Sequence, residues 1–199
     1  MNRYHDREAA QAYAEATREL DLSDLRARFL TELPERPPHT IRILDLGCGP
    51  GRDARAFSER GYGVEAMDPS PTMAELTRDY SGVPVRVLRV QDLAEEGAYD
   101  GVWACASLLH VPWAELPAAF QRIARALRPG GVLYASFKLG DDERSVAGEH
   151  FTDLNKDRLR DRTRGISTLR IVEIWETSDV RSERSGERWL NALLRRVSG

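Results

Sequence analysis

Three glycines on alternate positions, Gly47, Gly49 and Gly51, with Asp45 two residues ahead of the first, are the residues of this 199-residue chain that most directly specify chemistry. Glycines allow positive φ and carry no Cβ, so a bend built from them lets a flat ligand lie against bare backbone. A nucleoside is the natural occupant, with Asp45 as a carboxylate beside it. The spacing is neither the G-x-G-x-x-G of a dinucleotide site nor the G-K-[ST] ending of a phosphate loop, although a dinucleotide site stays open as an alternative. Asp68 and Asp92 supply further carboxylates downstream. His110 is the one imidazole in a position to orient or deprotonate a hydroxyl or amine, since it titrates near neutral pH. A backbone-bonded residue at a helix entry is the plainer alternative for it.

These residues need a scaffold that brings strand ends together. The run from Ile41 to Leu46 is apolar apart from Arg42 and Asp45 and reads as a buried parallel strand, with a helix starting at or just after Gly51 and stopped by Gly61. Residues 63–67 form the next strand, ending at Asp68. Ser70 caps the following helix, Pro71 takes its first position, and Met73 and Leu76 face inward. Residues 83–90 and 99–106 are expected as the third and fourth strands, with a helix at 113–127 and a fifth strand at 132–137. Residues 140–151 show no apolar period and read as a loop. Thr152 is expected to cap a charged helix reaching Arg164. Residues 168–180 and 188–195 close the pattern as two strands, although local periodicity would also permit a helix for the second. Ahead of all this, the spacing from Ala9 to Leu20 and from Leu22 to Leu33 predicts two helices, and Pro34, Pro37 and Pro38 link them to the first strand.

The run Asp-Leu-Gly-Cys-Gly-Pro-Gly at 45–51, followed by Leu-Arg-Pro-Gly-Gly-Val-Leu at 127–133, strongly resembles the motifs of class I S-adenosylmethionine-dependent methyltransferases. The resemblance runs from about residue 41 to the C-terminus; in size and motif order the chain is similar to small bacterial tellurite-resistance-like methyltransferases. It implies one domain over 1–199: an α/β, Rossmann-like core at 41–199 with seven strands in the order 3-2-1-4-5-7-6, the last antiparallel, and helices on both faces. Residues 1–38 would form an N-terminal helical lid carrying Tyr4 and Tyr13. The implied cofactor is S-adenosyl-L-methionine. Its methionine part would lie over Gly47, Gly49 and Gly51 with its amino group held by Asp45, and Tyr13 and Ala106 beside it. Asp68 would take the ribose hydroxyls, with Pro69 and Met73 next to it, and Gln91, Asp92 and Leu93 the adenine. The acceptor would meet the methyl near His110, with Tyr4, Lys138, Arg144 and His150 as its further contacts. No metal is expected.

What the segment after residue 106 lacks narrows the acceptor. There is no Asn-Pro-Pro-Tyr-like run, no Pro-Cys nucleophile, and no Asp at the strand tip to seed a magnesium site. The expected reaction is methyl transfer to an O, N or S atom of a small molecule; a non-catalytic module binding the cofactor or its demethylated product, or a methyltransferase acting on nucleic acid or protein, are the alternatives. The net charge of -3, with arginines alternating with acids, leaves no basic stripe for nucleic acid. No apolar run approaches the roughly 18 residues of a membrane span, and the first residues lack a signal-peptide core, so a cytoplasmic protein is expected. Cys48 and Cys105 stand apart, without a metal-ligand or disulfide pattern.

Overall fold

The computed structural model describes residues 6–184 and 186–198. Two helices come first, α1 (Arg7–Thr17), capped by the Asp6 carboxylate on the Ala9 amide, and α2 (Ser23–Thr31). Strands and helices then alternate: β1 (Arg42–Leu46), α3 (Arg52–Ser58), β2 (Gly63–Asp68), α4 (Pro71–Ser81), β3 (Val85–Val87), β4 (Tyr99–Ala104), α5 (Leu116–Ala126), β5 (Leu127–Lys138), β6 (Glu143–Val146), β7 (Glu149–Thr152), α6 (Lys156–Thr163), β8 (Leu169–Ser178) and β9 (Arg188–Arg196). The main sheet runs β3-β2-β1-β4-β5-β9-β8, with β9 antiparallel to both neighbours. With the separate β6–β7 hairpin set aside, this is the expected order.

Residue parity along the strands decides what reaches the site. Successive side chains of a strand point to opposite faces. Leu44, Leu46, Val102, Ala104, Leu133, Ala135, Ala192 and Leu194 pack with α5 and α6 on one face. Ile43, Trp103, Val132, Tyr134 and Leu193 pack with Phe29 of α2, Leu33 just after it and Phe57 of α3 on the other. Asp45, Cys105, Ser136, Asn191 and Trp189 continue the second set in parity, so the polar residues at the strand ends emerge on the side that α1 and α2 cover.

At Gly101, in the middle of β4, a Cβ would meet Phe29 Cζ at 2.6 Å and Leu33 Cδ2 at 2.8 Å. Overpacking of this kind costs about 1–3 kcal/mol. Gly101→Ala is therefore expected to lower the unfolding free energy by that amount, read as a lower urea midpoint at an unchanged m-value, since α2 must lift away from the sheet.

Five local expectations need correction. The third strand covers only 85–87, because the chain turns into a 3-10 helix at Val90–Asp92. The helix expected from 113 begins at Leu116, and the fifth strand begins at Leu127, before the Pro129–Gly130 irregularity and not after it, because Leu127 pairs with Tyr99. Residues 143–152 form a hairpin: Ala147 and Gly148 both take positive φ (51° and 80°), the backbone a two-residue hairpin turn requires. Thr152 does not cap α6. It lies in β7 and donates to the Val111 carbonyl at 2.8 Å, and Asn155 caps the helix by accepting from the amides of Asp157 and Arg158.

Candidate functional site

The loop after β1 is folded back onto the end of β2. The amides of Gly47 and Cys48 donate to the Met67 carbonyl at 2.8 and 3.0 Å, and the Gly49 amide donates to Asp68 Oδ2 at 3.0 Å. Gly47, Gly49 and Gly51 all have positive φ (71°, 51° and 88°). A Cβ at Gly47 would collide with the Ser107 side chain, and one at Gly51 would meet Thr77 Cα at 3.0 Å. At Gly49 the space is open except for Tyr13 Cε1 at 3.9 Å, so the bare backbone there faces α1 across a gap.

That gap opens into a cavity of about 150 Å³. Tyr13, Thr17 and Leu25 cover it, the glycine loop and Asp45 form one wall, and Tyr134, Ser136, Asn191, Trp189, Asp179 and Arg181 form the opposite one. Asp45 is 3% exposed, and its Oδ2 has no hydrogen-bond partner among the described residues. Burial, reinforced by the charges of Asp53 and Asp68, holds its carboxyl well above the usual range. A buried carboxylate oxygen left open beside a bare backbone bend fits a ligand that carries an ammonium group.

Its neighbour Asp53 is the opposite case. Arg26 Nη1 donates to Oδ1 at 2.7 Å, Arg52 Nη2 to Oδ2 at 2.6 Å, and Trp103 Nε1 to Oδ2 at 3.1 Å. Burial alone would raise this carboxyl, but the Arg52 and Arg26 guanidiniums outweigh it and hold it below the usual range. Arg52 also donates to the Thr17 carbonyl, and Arg18 to those of Pro50 and Leu76, so the helices over the cavity are tied to the glycine loop by charged donors.

The remaining expected residues fall in two further groups. Asp68, 8% exposed, accepts from the Gly49 and Ser70 amides, and Pro69 is exposed next to it. Met73 is buried in α4. Gln91 donates to Glu115 at 2.9 Å, Asp92 is exposed and pairs with Arg89, and the Leu93 amide donates to the Val90 carbonyl. These line the β2–β3 side of the loop, outside the cavity. Ala106, with φ 50°, lines the cavity and donates its amide to Ser136 Oγ at 2.8 Å. The second group gathers at the hairpin. His110 is exposed, with Nδ1 2.9 Å from the His150 carbonyl, and His150 Nε2 lies 2.9 Å from Thr152 Oγ1. Arg144 forms a fork with Asp153 at 2.7 and 3.1 Å, and Lys138 pairs with Glu187 over the Trp189 ring. Neither His110, His150, Lys138 nor Arg144 lines the cavity. Tyr4 lies outside the described residues.

Sequence reading missed Arg26, Arg52, Asp53, Tyr134, Asn191, Asp179 and Arg181. A signal existed for two of them: Arg26 sits on the apolar face of α2 between Leu22 and Phe29, and Asn191 interrupts the buried parity of β9, both places where a polar side chain needs a partner.

A family model described as "Methyltransferase domain" matches residues 43–131. A ubiquinone biosynthesis O-methyltransferase of Xanthomonas axonopodis pv. citri is 34% identical over 142 residues, 68% of this chain; the chain spans 56% of that relative's length. Among solved structures, the 1,6-didemethyltoxoflavin-N1-methyltransferase of Burkholderia thailandensis, with bound 1,6-didemethyltoxoflavin and S-adenosylhomocysteine, superposes with a TM-score of 0.66 at 23% identity, over 95% of this chain and 91% of that one. A structure of S-adenosylmethionine-dependent methyltransferases from Methanosarcina mazei gives a TM-score of 0.74 at 15% identity, over 90% of this chain and 100% of that one. At these identities the two structures speak for the fold. Among the described residues, no helix is long and apolar enough to cross a membrane.

Proposed function

We propose that this chain is a class I S-adenosylmethionine-dependent methyltransferase and that it moves a methyl group from S-adenosyl-L-methionine onto an O, N or S atom of a small-molecule acceptor in the cytoplasm. The observation that carries the reading is Asp45 Oδ2, buried and without a partner beside the glycine bend. Asp45 would take the cofactor's ammonium group, the bend at Gly47, Gly49 and Gly51 would pass beneath its methionine part, and Asp68, at the tip of β2, would take its ribose. The adenine would lie toward Met73 and the 91–93 turn. When bound, the cofactor supplies an electrophilic methyl on a sulfonium, an excellent leaving group. What the chain must add is alignment and exclusion of water. The covering helices, tied by Arg18 and Arg52 to the loop, supply the second. The free thiols of Cys48 and Cys105 accord with a reducing compartment. The likeness to tellurite-resistance-like methyltransferases rests on size and motif order.

The test is a screen of phenols, thiols and heteroaromatic amines for acceptor-dependent release of S-adenosylhomocysteine. Release matched one-to-one by methylated product is expected for at least one class. Saturable cofactor binding with no turnover across the screen would contradict the catalytic reading and leave a binding module.

A further inference from the structure

The proton-accepting groups of the cavity are already committed. Asp53 is engaged by two guanidiniums and an indole. Asp179 accepts from Arg181 Nε and Nη2 at 2.9 and 2.7 Å, from the Arg181 amide at 3.0 Å and from Trp189 Nε1 at 3.0 Å, and these donors overcome its burial and hold its carboxyl well below the usual range. Burial pushes the Cys105 thiol up to about 12 and raises the Tyr134 phenol as well, so both stay protonated. The phenol donates to Asn191 Oδ1 at 2.7 Å, and Asn191 in turn donates to Thr177 Oγ1 at 3.1 Å, a chain of neutral groups. Asp45 is the ammonium's partner. Among the described residues that line the cavity there is no histidine.

The cations are differently placed. Arg181 is only 16% exposed at its side chain and is locked in position by the Asp179 fork, which leaves its Nη1 group outside that pair. Tyr13 and Glu183 act on it electrostatically, and Lys138 lies near enough to feel its charge. Trp189, held by the same Asp179, gives an aromatic wall next to it.

We propose that the acceptor enters as an anion, a carboxylate or an already ionised hydroxyl or thiol, and that Arg181 is the residue that recognises its charge. This deepens the function proposed above and rests on it. Transfer to an ionised acceptor needs no protein base: its lone pair forms the bond to the methyl carbon, the sulfur–carbon bond breaks with its electron pair left on sulfur, and no proton moves. Anion and sulfonium neutralise each other in a covered site of low dielectric, where opposite charges attract strongly.

The experiment measures binding of benzoate and of its neutral isostere benzamide to the protein with and without S-adenosylhomocysteine, for wild type, Arg181→Gln and Arg181→Lys, with Tm recorded for each. Wild type is expected to favour benzoate at least tenfold. Arg181→Gln should lose that preference while its affinity for S-adenosylhomocysteine changes less than twofold, and Arg181→Lys, which keeps a charge opposite Asp179, should retain part of the preference and the fold. A benzoate preference that survives in Arg181→Gln overturns the proposal. So does a parallel loss of S-adenosylhomocysteine affinity, which would mean that Arg181 holds the cofactor's own carboxylate. Wild type that binds no S-adenosylhomocysteine contradicts the function proposed above, whereas the benzoate-to-benzamide ratio on the free protein decides the anion site by itself.

Discussion

Asp45→Asn is expected to weaken S-adenosylhomocysteine binding by about 10- to 100-fold and, in the same protein, to raise Tm. The first effect follows from losing a charge-assisted hydrogen bond to the ammonium, worth about 1.5–3 kcal/mol. The second follows from linkage. The folded-state pKa of Asp45 is raised, chiefly by burial, so above the unfolded value the native state holds a proton that the unfolded chain releases. Stability from this group is complete below the unfolded pKa and is lost as pH rises through the folded one. Asparagine mimics the protonated acid and removes that dependence, and each kcal/mol recovered reads as about 2–4 °C for a chain of this size. Calorimetric titration and a thermal melt at pH 6 and 8 check both halves. Equal affinity, or a lower Tm at pH 8, would contradict them.

Asp53→Ala should be the most damaging single change in the site. It removes the shared partner of Arg26 and Arg52 and strands Trp103 Nε1, leaving two guanidiniums in a largely buried setting without a counter-charge. Breaking a buried pair from one side costs about 3–5 kcal/mol, or a Tm loss on the order of 10 °C. Because Asp53 is held below the usual carboxylate range, chiefly by Arg52 against the opposing effect of burial, wild type should lose this contribution as pH falls through its folded pKa, whereas the variant should show a flatter acid limb. Urea unfolding from pH 7 down to 3 is the measurement. A loss below about 1 kcal/mol at pH 7 would mean that the three donors find other partners.

The strand order and the glycine bend were legible because each rests on local chemistry: apolar runs ending in an acid, glycines where the chain must take positive φ, and Ser70 and Pro71 at a helix start. The β6–β7 hairpin was not, because Ala147 in the left-handed region is a choice that only the tertiary setting enforces. The far wall of the cavity escaped for another reason. Ser136 lies in β5 and Asn191 and Trp189 in the antiparallel β9; both strands are buried over most of their length and read as near-continuous apolar runs, so although Asn191 stood out as a polar break, nothing in the sequence put it, Ser136 or Trp189 on the same side as Asp45. Asp179 fell inside the strand expected over 168–180 and Arg181 just after it; β8 ends at Ser178, and only the fold brings the two residues to the strand ends. His110 shows the converse: a residue type suited to acid–base work stands on the surface against His150 and Phe151.

The central claim is that the open oxygen of Asp45 receives the cofactor's ammonium beside the glycine bend. Calorimetric titration of S-adenosylhomocysteine in two buffers of different ionisation enthalpy, repeated across the range from pH 5 to 8, tests it directly, by counting protons exchanged on binding. Saturable one-to-one binding is expected, with a proton release in wild type within that range that Asp45→Asn lacks, because burial raises the Asp45 carboxyl above its ordinary range and the ammonium favours its ionised form. Absence of binding, or the same proton count in both proteins at every pH, would contradict it.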